Sequence, residues 1–247
     1  MTLPQHLVPS LDGIRAGDTV TVEGDEAHHA VVVRRLRVGE ALLLTDGLGR
    51  LVTGEVGETT KRSFTVVARE VADLPEPQPR VTVVQALPKG DRGELAVEVL
   101  TEIGVATVVP WAAARSVAVW KGERAAKSLA KWQATAREAA KQARRAWHPS
   151  VAPLASTDGV VALIASADVA VVLHEDATEP ISALALPPDG DLVVVVGPEG
   201  GLTDEEVARF VASGAVAVRL GSEVLRTSTA GVAAVAALLS RTPRWGS

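Results

Sequence analysis

The chain has 247 residues, 47% hydrophobic and 22% charged, with a mean hydropathy of +0.20, enough for one large core or two smaller ones and too apolar for a mainly disordered chain. A net charge of −5, from 25 Lys and Arg against 30 Asp and Glu, argues against coating nucleic acid over the whole surface, though not against a local basic face. The absence of cysteine excludes disulfides, Cys-ligated zinc, iron–sulfur clusters and thiol nucleophiles, and with no Tyr and two Phe few rings are available to stack on bases.

The opening MTLPQHLVPSLDG lacks the basic start and apolar stretch of a signal peptide. The longest nearly apolar run, about 230–239, is half of the ~20 residues a membrane span needs. A cytoplasmic protein that does not engage a membrane is expected.

From the N-terminus, short apolar stretches at 19–22, 41–45, 51–56 and 64–71 alternate with turns at Gly24-Asp25, Asp46-Gly47 and Gly57-Glu58. Strands at this spacing predict a small β-barrel or sandwich. Three prolines within 73–79 stiffen the chain and mark a boundary, giving domains at 1–72 and 80–247 joined by a linker. Beyond it the pattern becomes continuous β-branched runs at 81–87, 105–109, 160–164, 169–173, 192–196 and 215–220. Helical stretches at 93–103, 123–147, 204–213 and 227–240 separate them. Runs apolar on both faces predict a parallel sheet covered by helices, and so an α/β domain.

Three strand ends in this domain carry polar or glycine-rich turns. The run 192–196 leads into Gly197-Pro198-Glu199-Gly200-Gly201, and Thr203 with Glu206 has the spacing of a capping box that opens a helix. The run 215–220 leads into Gly221-Ser222-Glu223-Val224-Leu225-Arg226-Thr227, and 169–173 into His174-Glu175-Asp176. Neither glycine pattern is GxGxxG or GxxxxGK[ST], so the dinucleotide and P-loop fingerprints do not apply. Glycines let backbone groups approach a ligand at the carboxyl edge of an open sheet, so the three ends predict one cleft. Taken singly, each also reads as an ordinary connection, and His174 and Glu175 as a solvated loop. Arg226 stands where a helix begins, and a cation gains nothing from the dipole there.

Between Lys121 and His148, eight basic residues face two acidic ones, a local charge of +6 that leaves −11 elsewhere. Residues 124, 127 and 131, and again 137, 141 and 144, are three or four apart, which predicts a phosphate-contacting helical face or a solvated amphipathic helix. A smaller cluster is His28-His29 with Arg34, Arg35 and Arg37. Its histidines lack a third partner at metal-ligand spacing, and no metal is expected.

In this order the motifs resemble the bacterial 16S ribosomal RNA uridine N3-methyltransferases of the SPOUT superfamily. His28-His29 with Val33-Arg34-Arg35-Leu36-Arg37, then Asp46-Gly47, is similar to the family's HH…VLR…DG pattern. Ala86-Leu87-Pro88-Lys89-Gly90-Asp91, Thr101-Glu102-Ile103-Gly104-Val105 and Arg115-Ser116-Val117 resemble its ALPKGD…TELGV…RSV stretch. Trp132 with Glu138-Ala139, Gln142 and Arg145 resembles its basic helix, and 197–203 with 220–230 is its best-matching end. Val99, Glu223 and Ser228 depart from the usual Lys, Arg and Glu, and the usual Arg-Phe-Phe start is not found near Gln5.

The resemblance implies a PUA-like β-barrel followed by a methyltransferase domain whose C-terminal segment threads a trefoil knot, binding S-adenosylmethionine and acting as a homodimer on 16S rRNA in the 30S subunit. It assigns cofactor contacts to Leu173, His174, Glu175, Gly197, Pro198, Glu199, Gly200, Gly201, Leu220, Gly221, Ser222, Val224, Leu225, Arg226 and Thr227. Arg226 is the expected catalytic residue and Glu199 the weaker candidate for proton acceptor. Expected RNA contacts are Arg34, Arg35, Arg37, Lys89, Arg115, Lys141, Arg144 and Arg145. Methylation at C5 of a uracil normally needs a thiol adduct, whereas a ring nitrogen needs only deprotonation and alignment, so a chain without cysteine agrees with N-methylation. Alternatives are methylation of a ribose 2′-OH or of tRNA by the same fold, and a non-catalytic RNA-binding assembly factor.

Overall fold

The computed structural model describes residues 3–245; residues 1–2 and 246–247, the outer ends of the two expected domains, lie outside the described residues. The chain forms two compact units, residues 1–76 with 141–148, and residues 77–140 with 149–247.

In the first unit β1 (Gln5–Leu7), β2 (Thr19–Glu23), β3 (Ala41–Thr45), β4 (Arg50–Thr59) and β5 (Ser63–Asp73) form one sheet in the order β1-β3-β4-β5-β2. β1 runs parallel to β3, and the other pairs are antiparallel. Alternate residues point inward, so Val20, Val22, Leu42, Leu44, Val52, Val56, Phe64 and Val66 make the core. Register shifts after Thr53 and Val56 curl β4 against β5. Gly54 permits the first, because a Cβ there would stand 2.4 Å from Val66 Cγ1.

Between β2 and β3 the chain makes a short helix, α1 (Gly24–His28), and a π-helical turn, His29–Val33. The apolar residues Ala27 and Ala30 of this stretch are buried, while Val32 and Val33 are exposed. Five residues of helix followed by β-branched valines leave no 3.6 period in the sequence, so no helix was expected here. The segment 141–148 is tied in by hydrogen bonds: Gln5 Nε2 donates to the Arg145 carbonyl (2.8 Å), His148 N–H to Gly47 (2.9 Å) and Trp147 Nε1 to Leu74 (2.8 Å).

The second unit runs β6 (Arg80–Ala86), α2 (Arg92–Glu102), β7 (Thr107–Trp111), α3 (Glu123–Gln142), β8 (Ser150–Val151), α4 (Thr157–Ser166), β9 (Val169–Leu173), β10 (Glu179–Pro180), β11 (Asp191–Val196), α5 (Asp204–Ala212), β12 (Val216–Arg219) and α6 (Thr227–Leu239). Residues of α3 from Lys141 onward belong to the first unit. Its sheet has the order β10-β12-β9-β11-β6-β7-β8, with every neighbouring pair parallel. Both faces are covered. Val81, Val83, Val171, Val194 and Val196 pack with residues of α2, α3 and α6, and their neighbours Val84, Val172, Val193 and Val195 pack with residues of α4 and α5. Each such valine contributes roughly 1.5–3 kcal/mol of burial, which explains why the strands read as unbroken apolar runs.

Two expected elements differ. The run 160–164 is not a strand: Ser156 accepts the Gly159 N–H and opens α4, and Val160 and Ile164, four apart, are the residues that α4 buries. The basic helix does not reach 147 but ends at Gln142, where Arg144 turns into the left-handed region (φ 54°). Among the described residues no helix is long and apolar enough to cross a membrane.

Candidate active site

The carboxyl ends of β9, β11 and β12 and the first turn of α6 open onto one cavity of about 610 Å³, within the range of small-molecule sites. Residues 173–176, 196–202 and 218–227 line it, joined by Arg92, Arg115, Asp204 and Ala230. All fifteen residues expected to contact a cofactor therefore face the same space. Arg92, Asp204 and Arg219 also line it without having been singled out from the sequence, and Asp176 and Glu223, named there in the strand-end turns, line it without having been assigned a cofactor contact. Arg92 had a signal, a cation one position past the Ala86–Asp91 motif, where α2 starts.

The glycine turn after β11 is built from backbone. Gly201 N–H donates to the Pro198 carbonyl (3.0 Å), and Gly201 has φ 72°, which a side chain rarely adopts. A Cβ on Gly200 would stand 3.2 Å from the Arg115 carbonyl. Thr203 and Glu206 form the expected capping box at the start of α5, and Glu206 also accepts the Ala114 N–H (2.8 Å). The neighbouring Arg115 Nη1 donates to the carbonyls of Gly200 (3.3 Å) and Leu202 (3.1 Å). Segment 114–115 thus clasps the turn.

Glu199 accepts the Lys89 N–H (3.1 Å) from the β6–α2 connection and forms an ion pair at 3.8 Å with Arg92, the first residue of α2, so its carboxylate is held at the cavity wall. Elsewhere on the cavity wall, Arg226 precedes the first residue of α6 and its side chain caps nothing. Residues 220–226 are mostly exposed, with Val224 80% exposed, and give that wall an open, partly apolar rim. His174 N–H donates to the Val218 carbonyl (3.0 Å), and His174 Nδ1 accepts the Asp176 N–H (3.3 Å). At the base, Thr227 Oγ1 donates to the Gly197 carbonyl (2.6 Å).

The residues expected to touch RNA are placed less uniformly. Arg34, Arg35 and Arg37 are exposed after the π-helical turn, Arg35 with φ 57°. Lys89 is exposed beside the cavity loop, whereas Arg115 is spent on the carbonyls of the glycine turn. Lys141 is 12% exposed and pairs with Glu26 (2.9 Å). Arg144 and Arg145 follow the end of α3, so they do not continue its face, and Lys131 on that face pairs with Glu94 (3.0 Å). No group of three His, Asp or Glu that could hold a metal ion occurs among the described residues.

A curled sheet followed by a parallel sheet with a ligand-sized cavity at its carboxyl edge suits an enzyme that binds a small molecule at the strand ends. Residues 75–239 match the model of the RNA methyltransferase domain, and residues 22–68 that of the RNA methyltransferase PUA domain. Ribosomal RNA small subunit methyltransferase E of Mycobacterium bovis is 46% identical over 93% of this chain and 89% of its own length, and that of Bacillus subtilis is 32% identical over 93% of each. A crystal structure of the Neisseria gonorrhoeae ribosomal RNA small subunit methyltransferase E, bound to S-adenosyl methionine, has a TM-score of 0.85 at 27% identity, covering 98% of both chains. The chain belongs to the ribosomal RNA small subunit methyltransferase E family.

Proposed function

We propose that this protein transfers the methyl group of S-adenosylmethionine to N3 of a uridine near the 3′ end of 16S rRNA, on the assembled 30S subunit in the cytoplasm. The observation that carries the reading is the convergence of three strand-end loops on one cavity in a chain of this family. The N. gonorrhoeae relative is bound to that cofactor. The cavity suits it chemically. Glycines at 197, 200 and 201 leave backbone donors and acceptors open to an adenosine, while Glu175, Asp176, Glu199 and Glu223 offer carboxylates to a cationic ligand. When bound, S-adenosylmethionine supplies a methyl group activated by a sulfonium.

The protein's own share is binding and alignment. In this reading the loops at 173–175, 197–201 and 220–227 hold the cofactor, and Arg226 stabilises the uridine that has lost its N3 proton, or the adjoining phosphate. Glu199 is the weaker candidate to take that proton. Alignment can supply on the order of 7–11 kcal/mol of barrier reduction, so a strong base is not required. With no thiol in the sequence, a covalent route to C5 is closed and a ring nitrogen is the simpler target.

Residues 1–72 act in this reading as an RNA-binding PUA-like barrel and 80–247 as the methyltransferase, the phosphates being gripped by Arg34, Arg35, Arg37, Lys89, Arg144 and Arg145. A homodimer completes the site, and the C-terminal segment threads a trefoil knot. Support for the threading is that β12 lies beyond β9, towards the sheet edge, while α6 returns over the centre of the sheet. A Cβ on Gly231 of α6 would stand 3.3 Å from Val196 Cγ2 of β11 and 3.6 Å from Val83 Cγ1 of β6. The test is transfer of a labelled methyl group to purified 30S subunits, naked 16S rRNA and tRNA in parallel. Incorporation into 30S subunits above the other two supports the reading. Incorporation into tRNA alone, or none with no cofactor binding by calorimetry, would replace it with a tRNA enzyme or an assembly factor.

A further inference from the structure

Gln85 sits in β6 among Val81, Val83, Val84 and Ala86, fully buried and outside the wall of the cavity. A carboxamide in that position is costly unless its hydrogen bonds are met, and here the Oε1 has no partner among the described residues, so the Nε2 contacts alone offset the burial. Its Nε2 lies 3.1 Å from Thr227 Oγ1, 3.3 Å from the Thr227 carbonyl and 3.2 Å from the Ala86 carbonyl. The Thr227 hydroxyl has one proton, and the Gly197 carbonyl at 2.6 Å takes it. The lone pairs of that hydroxyl are then what the Gln85 N–H meets, so the donors align in one direction, Gln85 to Thr227 to Gly197.

Gly197 opens the glycine turn after β11, and Thr227 is the first residue of α6, so the chain of bonds ties two separate cavity walls together beneath the ligand space. Both ends are crowded into place. A Cβ on Gly197 would stand 3.1 Å from Leu202, and one on Gly231, a turn into α6, 3.3 Å from Leu100 and from Val196. Without Gln85, a threonine hydroxyl at a helix start is free to rotate towards other local acceptors, and the Gly197 carbonyl loses its donor.

We propose that Gln85 is a positioning residue for the cofactor: it fixes the Thr227 hydroxyl on the Gly197 carbonyl and so sets the gap between the 197–201 and 220–227 loops. The inference rests on reading the cavity as the S-adenosylmethionine site. Calorimetry of the full chain with S-adenosylmethionine tests it, comparing wild type, Gln85→Met, Thr227→Val and Thr227→Ser, with melting temperatures and 30S methylation kinetics alongside. Gln85→Met should weaken binding about tenfold, the loss of one hydrogen bond, and raise KM for the cofactor while kcat at saturation stays within about twofold, and Thr227→Val should weaken binding at least as much. Thr227→Ser, which keeps the hydroxyl, should bind several-fold more tightly than Thr227→Val.

Binding by Gln85→Met equal to wild type overturns the proposal, as does Thr227→Ser binding as poorly as Thr227→Val, or a fall in kcat with KM unchanged. If Gln85→Met does not fold, the two Thr227 variants decide alone. A wild-type chain that binds no S-adenosylmethionine sinks the cofactor reading itself, which is a separate outcome from wild-type binding that the variants leave unaltered.

Discussion

Lys141 Nζ stands 2.9 Å from Glu26 Oε2, and His6 Nδ1 stands 2.8 Å from the other oxygen of the same carboxylate. Burial by itself raises the Glu26 carboxyl, but the hydrogen bonds from His6 and Lys141, with the Lys141 charge, outweigh it and lower the group from 4.5 to about 2. The three residues join β1, α1 and the returning segment 141–148 within the first unit, so the lysine that the charge pattern offered to RNA holds the fold.

A carboxyl with a lower pKa folded than unfolded stabilises the fold above its unfolded value and loses that contribution as pH falls towards the folded one. Glu26 should therefore contribute fully above about pH 5 and progressively less towards about pH 2, at most about 3 kcal/mol. Glu26→Gln should lower the urea midpoint at neutral pH, and the gap to wild type should narrow on acidification. A gap of constant size between about pH 7 and about pH 3 would contradict the assignment.

Arg115 grips the carbonyls of Gly200 and Leu202, so its removal should loosen the glycine turn. Arg115→Ala is expected to weaken cofactor binding about five- to tenfold, in line with one or two hydrogen bonds to a charged group partly exposed to solvent. Isothermal titration checks it. An unchanged cofactor affinity combined with weakened RNA binding would return Arg115 to the RNA contacts.

Arg144 and Arg145 lie beyond the end of α3, on the segment that belongs to the first unit. If each neutralises one phosphate, replacing both with Gln should reduce the slope of log affinity against log salt by about two and weaken binding to all RNA sequences alike. Filter binding across a salt series measures this, and an unaltered slope would remove them from the interface.

The apolar strands were the most legible part of the sequence. A run that must be buried on both faces is almost wholly apolar, so 169–173 coincides with β9, and the short apolar run 41–45, bounded by a turn at Asp46-Gly47, coincides with β3. The capping box was legible because Thr203 and Glu206 act locally. The run 160–164 was misread because five apolar residues carry no period of their own, and the helix was decided upstream by the Ser156 cap. Lys141 looked like part of a basic face because spacing shows which residues share a side of a helix. It does not show that Glu26, 115 positions away, awaits the charge. The three cavity loops were visible as glycine and polar strand ends, whereas Gln85 left only a polar letter in an apolar run. Its meaning depends on Thr227, 142 positions away.

Arg226 at the open wall of the cavity is the group on which the chemistry is placed. Arg226→Ala should lower single-turnover methyl transfer on the order of a hundredfold, the scale of one lost electrostatic donor in an active site, with cofactor affinity changed far less. Full single-turnover activity in Arg226→Ala would show that the arginine has no part in the chemical step.

The most direct test of the central claim is the identity of the nucleoside formed. Purified 30S subunits lacking the modification, incubated with the protein and methyl-labelled S-adenosylmethionine, should yield 3-methyluridine as the labelled nucleoside, mapped to one position near the 3′ end of 16S rRNA. Label on a ribose 2′-oxygen, on C5 of a pyrimidine or on another base would contradict it.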